Sequence, residues 1–424
     1  MAGCKSIKEG LFEKQTPHEA YWSKIEEAGL GNSNVAKLWS LDADSVLIDA
    51  VAVNIPFSEA VVFDFEDLTA VAYSFSLREG RNLRISVEPE LDDTSRVFID
   101  LYRKVGELKH IANAPGDSTA LTHQVKRDGS YVIRVQPELL TRGLFHIRIY
   151  SGSSLAFPVL GENYNSIASF FGDPRDGGAR RHEGVDVFAG RGTPVVAAAT
   201  GRVRRTGTNG LGGNVVWLSD RNSGYNYYYA HLDTQLIEPG VNVRLGDTLG
   251  LVGNTGNART TAPHLHFGIY ARGRGAVDPS PFFYQAQMQA ISPELVQQYS
   301  GEWGLTSAER TNFRKGPDIN SSVIQPLADD TPLLIKGVSP EWLRVELPDG
   351  EEGFVHLSLV RIPSPDIQEV SLGRGKIIRS RPADISPAIG LLTGNDLINI
   401  HSRYESYLLI QHNNRFGWVK QDEL

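Results

Sequence analysis

The chain has 424 residues, 41% of them apolar and 22% charged, and a formal charge of −8; that length calls for roughly two to four domains. Its single cysteine, Cys4, excludes an internal disulfide and a cysteine-ligated metal site. No apolar run reaches the ~20 residues of a membrane helix, and no basic stripe with interleaved aromatics speaks for nucleic acid.

In chain order, Met1-Ala2-Gly3-Cys4 resembles the end of a bacterial lipoprotein signal. The resemblance implies a lipid anchor at Cys4 and a place in the bacterial cell envelope, as a periplasmic lipoprotein or a secreted protein. Thr16-Pro17-His18-Glu19 forms a capping box with proline at the first helical position, so a helix should run from there and stop at Gly29. A helical turn near Asn34–Trp39 completes an N-terminal helical segment, residues 1–44. From 45 to 155 apolar residues alternate with polar ones in short runs such as Leu83–Val87 and Tyr131–Val135, which predicts a β-sandwich accessory domain. Its histidines, His110, His123 and His146, belong to no motif and are expected at the surface or in packing.

Residues 156–290 are glycine-rich and strand-like, with runs at Gly213–Leu218, Tyr225–Leu232 and Thr248–Gly253 that predict a compact antiparallel sheet. Within 156–284 all 12 basic residues are Arg, against 10 acidic ones, while both flanking regions are net acidic. Arg grips carboxylates through a bidentate fork, although a balance this small is by itself close to neutral. Beyond Gln285 the sequence repeats: 313–345 aligns with 378–410 at a constant offset of 65, pairing Arg314 with Arg379, Pro317 with Pro382 and Ser321 with Ser386. With Asn312–Pro317 at its start, Trp342 in the middle and Gly353-Phe354-Val355-His356 near its end, 300–362 resembles a bacterial SH3-like module, a class that commonly binds cell-wall peptides. The second copy, 366–424, departs from the pattern at Arg381, where Gly is usual, and at Tyr407, in place of Trp.

Chemistry concentrates in the middle segment. Residues an even number apart on a strand share a face, so His264 and His266 point the same way, and His182 and Asp186 align likewise. A catalytic zinc takes three protein ligands and leaves one position open. Among His182, Asp186, His231, His264 and His266, three can hold a metal and two remain for proton transfer. Glu183, the base of helical His-Glu-x-x-His enzymes, lacks the second histidine of that motif and on a strand would point to the opposite face.

The order His-x-x-x-Asp, Tyr229-Ala230-His231-Leu232, His264-Leu265-His266, together with Phe171-Gly172-Asp173-Pro174-Arg175, Pro194–Val203, Gly213–Val216 and Gly253-Asn254-Thr255-Gly256, resembles the lysostaphin/LytM-type zinc metallopeptidases across roughly 165–281. The resemblance implies a mainly β, multidomain protein: a sandwich, an antiparallel zinc peptidase domain and two small SH3-like barrels. It implies Zn²⁺ held by His182, Asp186 and His266, with His231 and His264 catalytic, and peptide bonds of cell-wall peptidoglycan as the substrate. It also leaves open a catalytically silent regulator of other wall hydrolases, or a latent enzyme. In the latent case a flanking domain covers the groove, or an asparagine such as Asn165 takes the open metal position.

Overall fold

Helix α1 spans Pro17–Glu27 and starts as its sequence requires: the Glu19 amide donates to the Thr16 hydroxyl and the Thr16 amide to the Glu19 carboxylate. The turn expected at Asn34–Trp39 is instead a 15-residue helix, α2, Asn34–Ile48. Its buried residues Ala36, Trp39 and Ala43 lie on one face, but Leu41 and Ile48 are 68% and 87% exposed, and apolar residues on the outer face blur the helical stripe. The buried face lies on the strand Gly129–Pro137, where the Trp39 indole N–H donates to the Pro137 carbonyl. The computed structural model describes residues 15–90, 95–363, 369–371, 375–393, 396–413 and 415–421; Cys4 lies outside them.

The alternating segment forms two facing sheets. One contains Val51–Ala52, Val71–Leu77, Gly129–Pro137, Val97–Val105 and Glu107–Asn113; the other contains Phe57–Asp64, Arg142–Ser153, Arg81–Pro89 and Ala120–Gln124. Tyr73, Leu83, Ile133 and Ile147 fill the space between them. The second sheet does not stop at its edge. Phe57–Asp64 also pairs with Pro332–Val338, Ala60 opposite Val338, so eleven strands run from the sandwich into the first SH3-like segment. This pairing covers an edge that would otherwise expose backbone donors and acceptors. Beside it the buried Glu59 carboxylate accepts from the Arg344 guanidinium (2.8 and 3.0 Å) and the Tyr73 hydroxyl (2.6 Å), which satisfies a charge that could not be buried alone.

The two copies of the repeat share one strand order. In the first it is Val323–Leu327, Thr311–Arg314, Glu352–His356, Trp342–Glu346, Pro332–Val338; in the second, Ala388–Leu392, Lys376–Arg379, Arg415–Lys420, Tyr407–His412, Leu397–Tyr404. Arg314 donates to the Ser321 carbonyl and Arg379 to the Ser386 carbonyl, so the repeated Arg and Ser brace the same loop twice.

The middle segment is a mainly antiparallel sheet whose central strands are Val185–Phe188, His264–Ala271, Tyr225–Leu232 and Gly213–Ser219, in that spatial order. Strand alternation divides it. Val185, Val187, Tyr227, Tyr229, Leu265 and Phe267 pack beneath it, while Asp186, Trp217, Tyr228, His264, His266 and Tyr270 line an open cleft above. Tyr225 and Arg274 tie this sheet to the sandwich through Glu79, which accepts hydrogen bonds from both.

Candidate active site

All five residues singled out from the sequence meet at one end of this cleft. Register sets three of them: Asp186 stands opposite His266 and Phe188 opposite His264, on neighbouring antiparallel strands. His182 comes from the loop just before that strand. The loop passes so close that a Cβ on Gly184 would lie 2.5 Å from the Phe267 carbonyl oxygen and 2.7 Å from the His266 ring, so the glycine between His182 and Asp186 is a steric requirement. The Phe171–Arg175 motif braces the same loop: the His182 amide donates to the Asp173 carbonyl, and the Gly172 amide to the His182 carbonyl.

His231 reaches the cleft by a different route. Ala230 pairs with His266, so strict alternation would turn the next side chain away. His231 instead has φ +62°, a left-handed conformation uncommon outside glycine, and its amide is held by the Gly212 carbonyl (2.7 Å). Both Ala230 and His231 therefore line the cleft.

The donor atoms converge tightly. His182 Nε2 and His266 Nδ1 lie 2.9 Å apart, and each is 3.0 Å from Asp186 Oδ1. His182 Nδ1 donates to the Phe170 carbonyl (2.9 Å), which leaves a lone pair on its Nε2. The second Asp186 oxygen accepts from Arg175 (2.8 Å), which also donates to Ser169 (2.6 Å). Three electron-rich atoms this close repel one another unless a cation or shared protons lie between them. The edge of a tetrahedral zinc site with ~2.0–2.1 Å bonds is about 3.3 Å, so His182, Asp186 and His266 fit such an ion with small adjustments. Their outer partners, a carbonyl and a guanidinium, are the kind that orient metal ligands.

Electrostatics agree. Burial works against the charged form of Asp186, but without an ion, protons shared with His182 and His266 outweigh it and hold the carboxyl below the usual range. Burial, followed by the neighbouring His264 and His266, lowers His231 to about 4, which makes it a neutral base near pH 7. The Nδ1 atoms of His231 and His264 lie 2.9 and 2.8 Å from the carbonyls of Thr255 and Ala262. A carbonyl only accepts, so both Nδ1 atoms carry the proton and both Nε2 atoms are free acceptors. The two rings sit 5.0 Å apart, centroid to centroid.

The cleft measures about 970 Å³ and its lining runs from Ala168 to Tyr270; no described residue of the sandwich or the SH3-like segments contributes. Asn165 sits in the turn Tyr164–Ser166, its amide bonded to the Asn163 side chain, and is not part of the lining. Glu183 corrects the sequence reading: residues 182–184 precede the strand, alternation does not apply to them, and Glu183 lines the cleft and accepts from the Tyr270 hydroxyl (3.1 Å). Sequence reasoning gave no role to Arg175, although it lies within the quoted Phe171–Arg175 motif. It also missed the aromatic wall of Trp217, Tyr228 and Tyr270, whose rings lie 4.5 Å (Trp217–Tyr228) and 5.2 Å (Trp217–Tyr270) apart.

Comparison with known proteins fits this geometry. Residues 180–279 match the family model of peptidase family M23, and residues 307–361 that of a bacterial SH3 domain. An L-Ala–D-Glu endopeptidase of Bacillus subtilis is 38% identical over 137 residues, 30% of this chain and 42% of its own length. The peptidoglycan DD-endopeptidase ShyC of Vibrio cholerae is 38% identical over 100 residues, 24% and 22%. The glycyl-glycine endopeptidase ALE-1 of Staphylococcus capitis is 31% identical over 179 residues, 40% and 49%. The chain thus carries an M23 metallopeptidase domain of the lysostaphin/LytM type followed by a bacterial SH3 domain. It spans less than half the length of each of these relatives.

Proposed function

We propose that this chain is a zinc-dependent endopeptidase that hydrolyses peptide bonds in bacterial cell-wall peptidoglycan. The observation that carries the reading is the convergence of His182 Nε2, Asp186 Oδ1 and His266 Nδ1 within 3.0 Å of one another, beside two further imidazoles, on the floor of an open cleft. These three atoms would hold Zn²⁺, which suits nitrogen and carboxylate donors. When bound, zinc acts as a Lewis acid that brings the pKa of water from ~15.7 toward ~7.

The chain's own residues supply the remaining chemistry. Of the two free Nε2 atoms, on His231 and His264, one removes the proton of the attacking water and, as an imidazolium, returns it to the departing amine nitrogen. The other, when charged, lies beside the oxygen that gains negative charge. Arg175 keeps Asp186 oriented, and the aromatic wall of Trp217, Tyr228 and Tyr270 supports the substrate chain. The first SH3-like segment, with its own groove, is assigned to wall-peptide binding, and Cys4 to lipid attachment at the envelope.

The test is mass spectrometry of fragments released from purified peptidoglycan by the zinc-reconstituted protein. His264→Ala and His231→Ala should each lower turnover by roughly 10²–10⁴-fold while zinc content stays at the wild-type level. A zinc-loaded protein that leaves peptidoglycan and defined wall peptides uncut sinks the reading. In the alternative, a silent regulator of other hydrolases, His231→Ala would keep its cellular role; the complete set of five residues speaks against that alternative.

A further inference from the structure

The three relatives are named for three different bonds, so similarity of this degree leaves substrate choice to the side chains that line the cleft. Three cationic side chains line those walls, Arg175, Arg180 and Arg181, and two carboxylates, Glu183 and Asp186. Arg175 is committed to Asp186 (2.8 Å) and Arg180 to Asp176 (2.5 Å). Glu183 accepts from Tyr270, and the nearby Asp173 from Ser169 and the Phe170 amide. Every carboxylate on this side of the cleft is occupied, and Arg181 is the one lining cation left, among the described residues, with no hydrogen bond or ion pair to its guanidinium.

Its backbone is nevertheless fixed. Arg181 pairs with Pro174 across a two-stranded ladder, and the next residue is His182, whose amide and carbonyl are both bonded to the bracing loop. A guanidinium carried on a backbone fixed beside the metal-site residues presents an empty bidentate fork to whatever lies across the cleft.

We infer that Arg181 is a specificity-determining residue that recognises a free carboxylate on the substrate close to the bond being cut. The inference rests on the peptidase reading and narrows its substrate to wall peptides whose side carboxyl is free, in preference to those in which it is a carboxamide. A carboxamide is nearly isosteric but uncharged, and loses one charge-assisted contact.

The experiment measures kcat/KM of the zinc-loaded full chain on two wall peptides that differ only in carboxylate against carboxamide beside the cleaved bond. Wild type should prefer the carboxylate by roughly 10- to 100-fold, mostly through KM. Arg181→Gln should remove the preference and Arg181→Glu should invert it, with zinc content and circular dichroism unchanged in both. The Glu variant guards against misreading a general loss of activity, since a merely damaged enzyme does not reverse its choice. Equal rates on the two peptides for wild type, or a preference that survives in both variants, overturns the inference alone. No cleavage of either peptide by wild type overturns the peptidase reading and the inference with it.

Discussion

The two copies of the C-terminal repeat have the same strands in the same order and different surfaces. In the first, Trp342, His356 and the 73%-exposed Ile319 border a groove of about 620 Å³, together with Arg310, Glu341 and, from the sandwich, Asn54. In the second, the equivalent positions are Tyr407, Lys420 and Asp384, and they close on one another: the Tyr407 hydroxyl donates to Asp384 (2.6 Å), and Lys420 bonds both oxygens of the same carboxylate (3.0 and 2.7 Å). The remaining difference explains why. Gly316 of the first copy lies against the sandwich, where a Cβ would come within 3.0 Å of the Ala52 carbonyl oxygen. At the matching place the second copy has Arg381, which reaches Asp67 of the sandwich (2.6 Å) and Glu346 of the first copy, joining a cluster with the buried Lys336. Trp418 and Tyr407 pack on Trp303 in a separate apolar cluster across the same junction. One copy keeps an open surface; the other has turned its aromatics and charges to holding the assembly together.

Breaking this division of labour should give effects in a definite order. Trp418→Ala removes a fully buried ring at the junction and should cost about 3–5 kcal/mol, read as a lower denaturant midpoint. Arg381→Ala leaves Glu346 and Asp67 with Lys336 alone and should cost about 1–3 kcal/mol, with earlier proteolytic cleavage between the copies. Trp342→Ala touches a half-buried groove residue and should barely change stability, yet weaken association with purified peptidoglycan by roughly tenfold or more; equal weakening by Tyr407→Phe would erase the distinction between the copies. Asp384→Asn should have the smallest effect. Hydrogen bonds from Lys420, then Tyr407, hold the Asp384 carboxyl below its ordinary range. The contribution of this lock is therefore full above the ordinary carboxylate range and fades only as pH falls through the lowered value, and in Asp384→Asn that acid dependence should vanish.

Much of the site could be read directly. His264 and His266 share a face because strands alternate, and the capping box at Thr16 fixes the start of α1; both depend on residues close in sequence. Arg381 was visible as a departure from the repeat, but nothing local tells that its partners are Asp67 and Glu346. The same limit hid Arg175 behind Asp186 and let the sandwich and first SH3-like segment pass as separate sheets, since edge pairing between Ala60 and Val338 leaves no periodic signature.

The sequence by itself determined which residue types could gather a metal and move protons, because spacing along a strand dictates the face a side chain takes. Only the tertiary structure decided that His231 joins them through a left-handed turn, that Glu183 faces into the cleft, and that the Arg181 guanidinium stands there without a partner among the described residues. Those outcomes depend on backbone contacts from distant segments, the Gly212 carbonyl behind His231 and the Asp173 loop beside His182, and a contact between distant segments has no period to read.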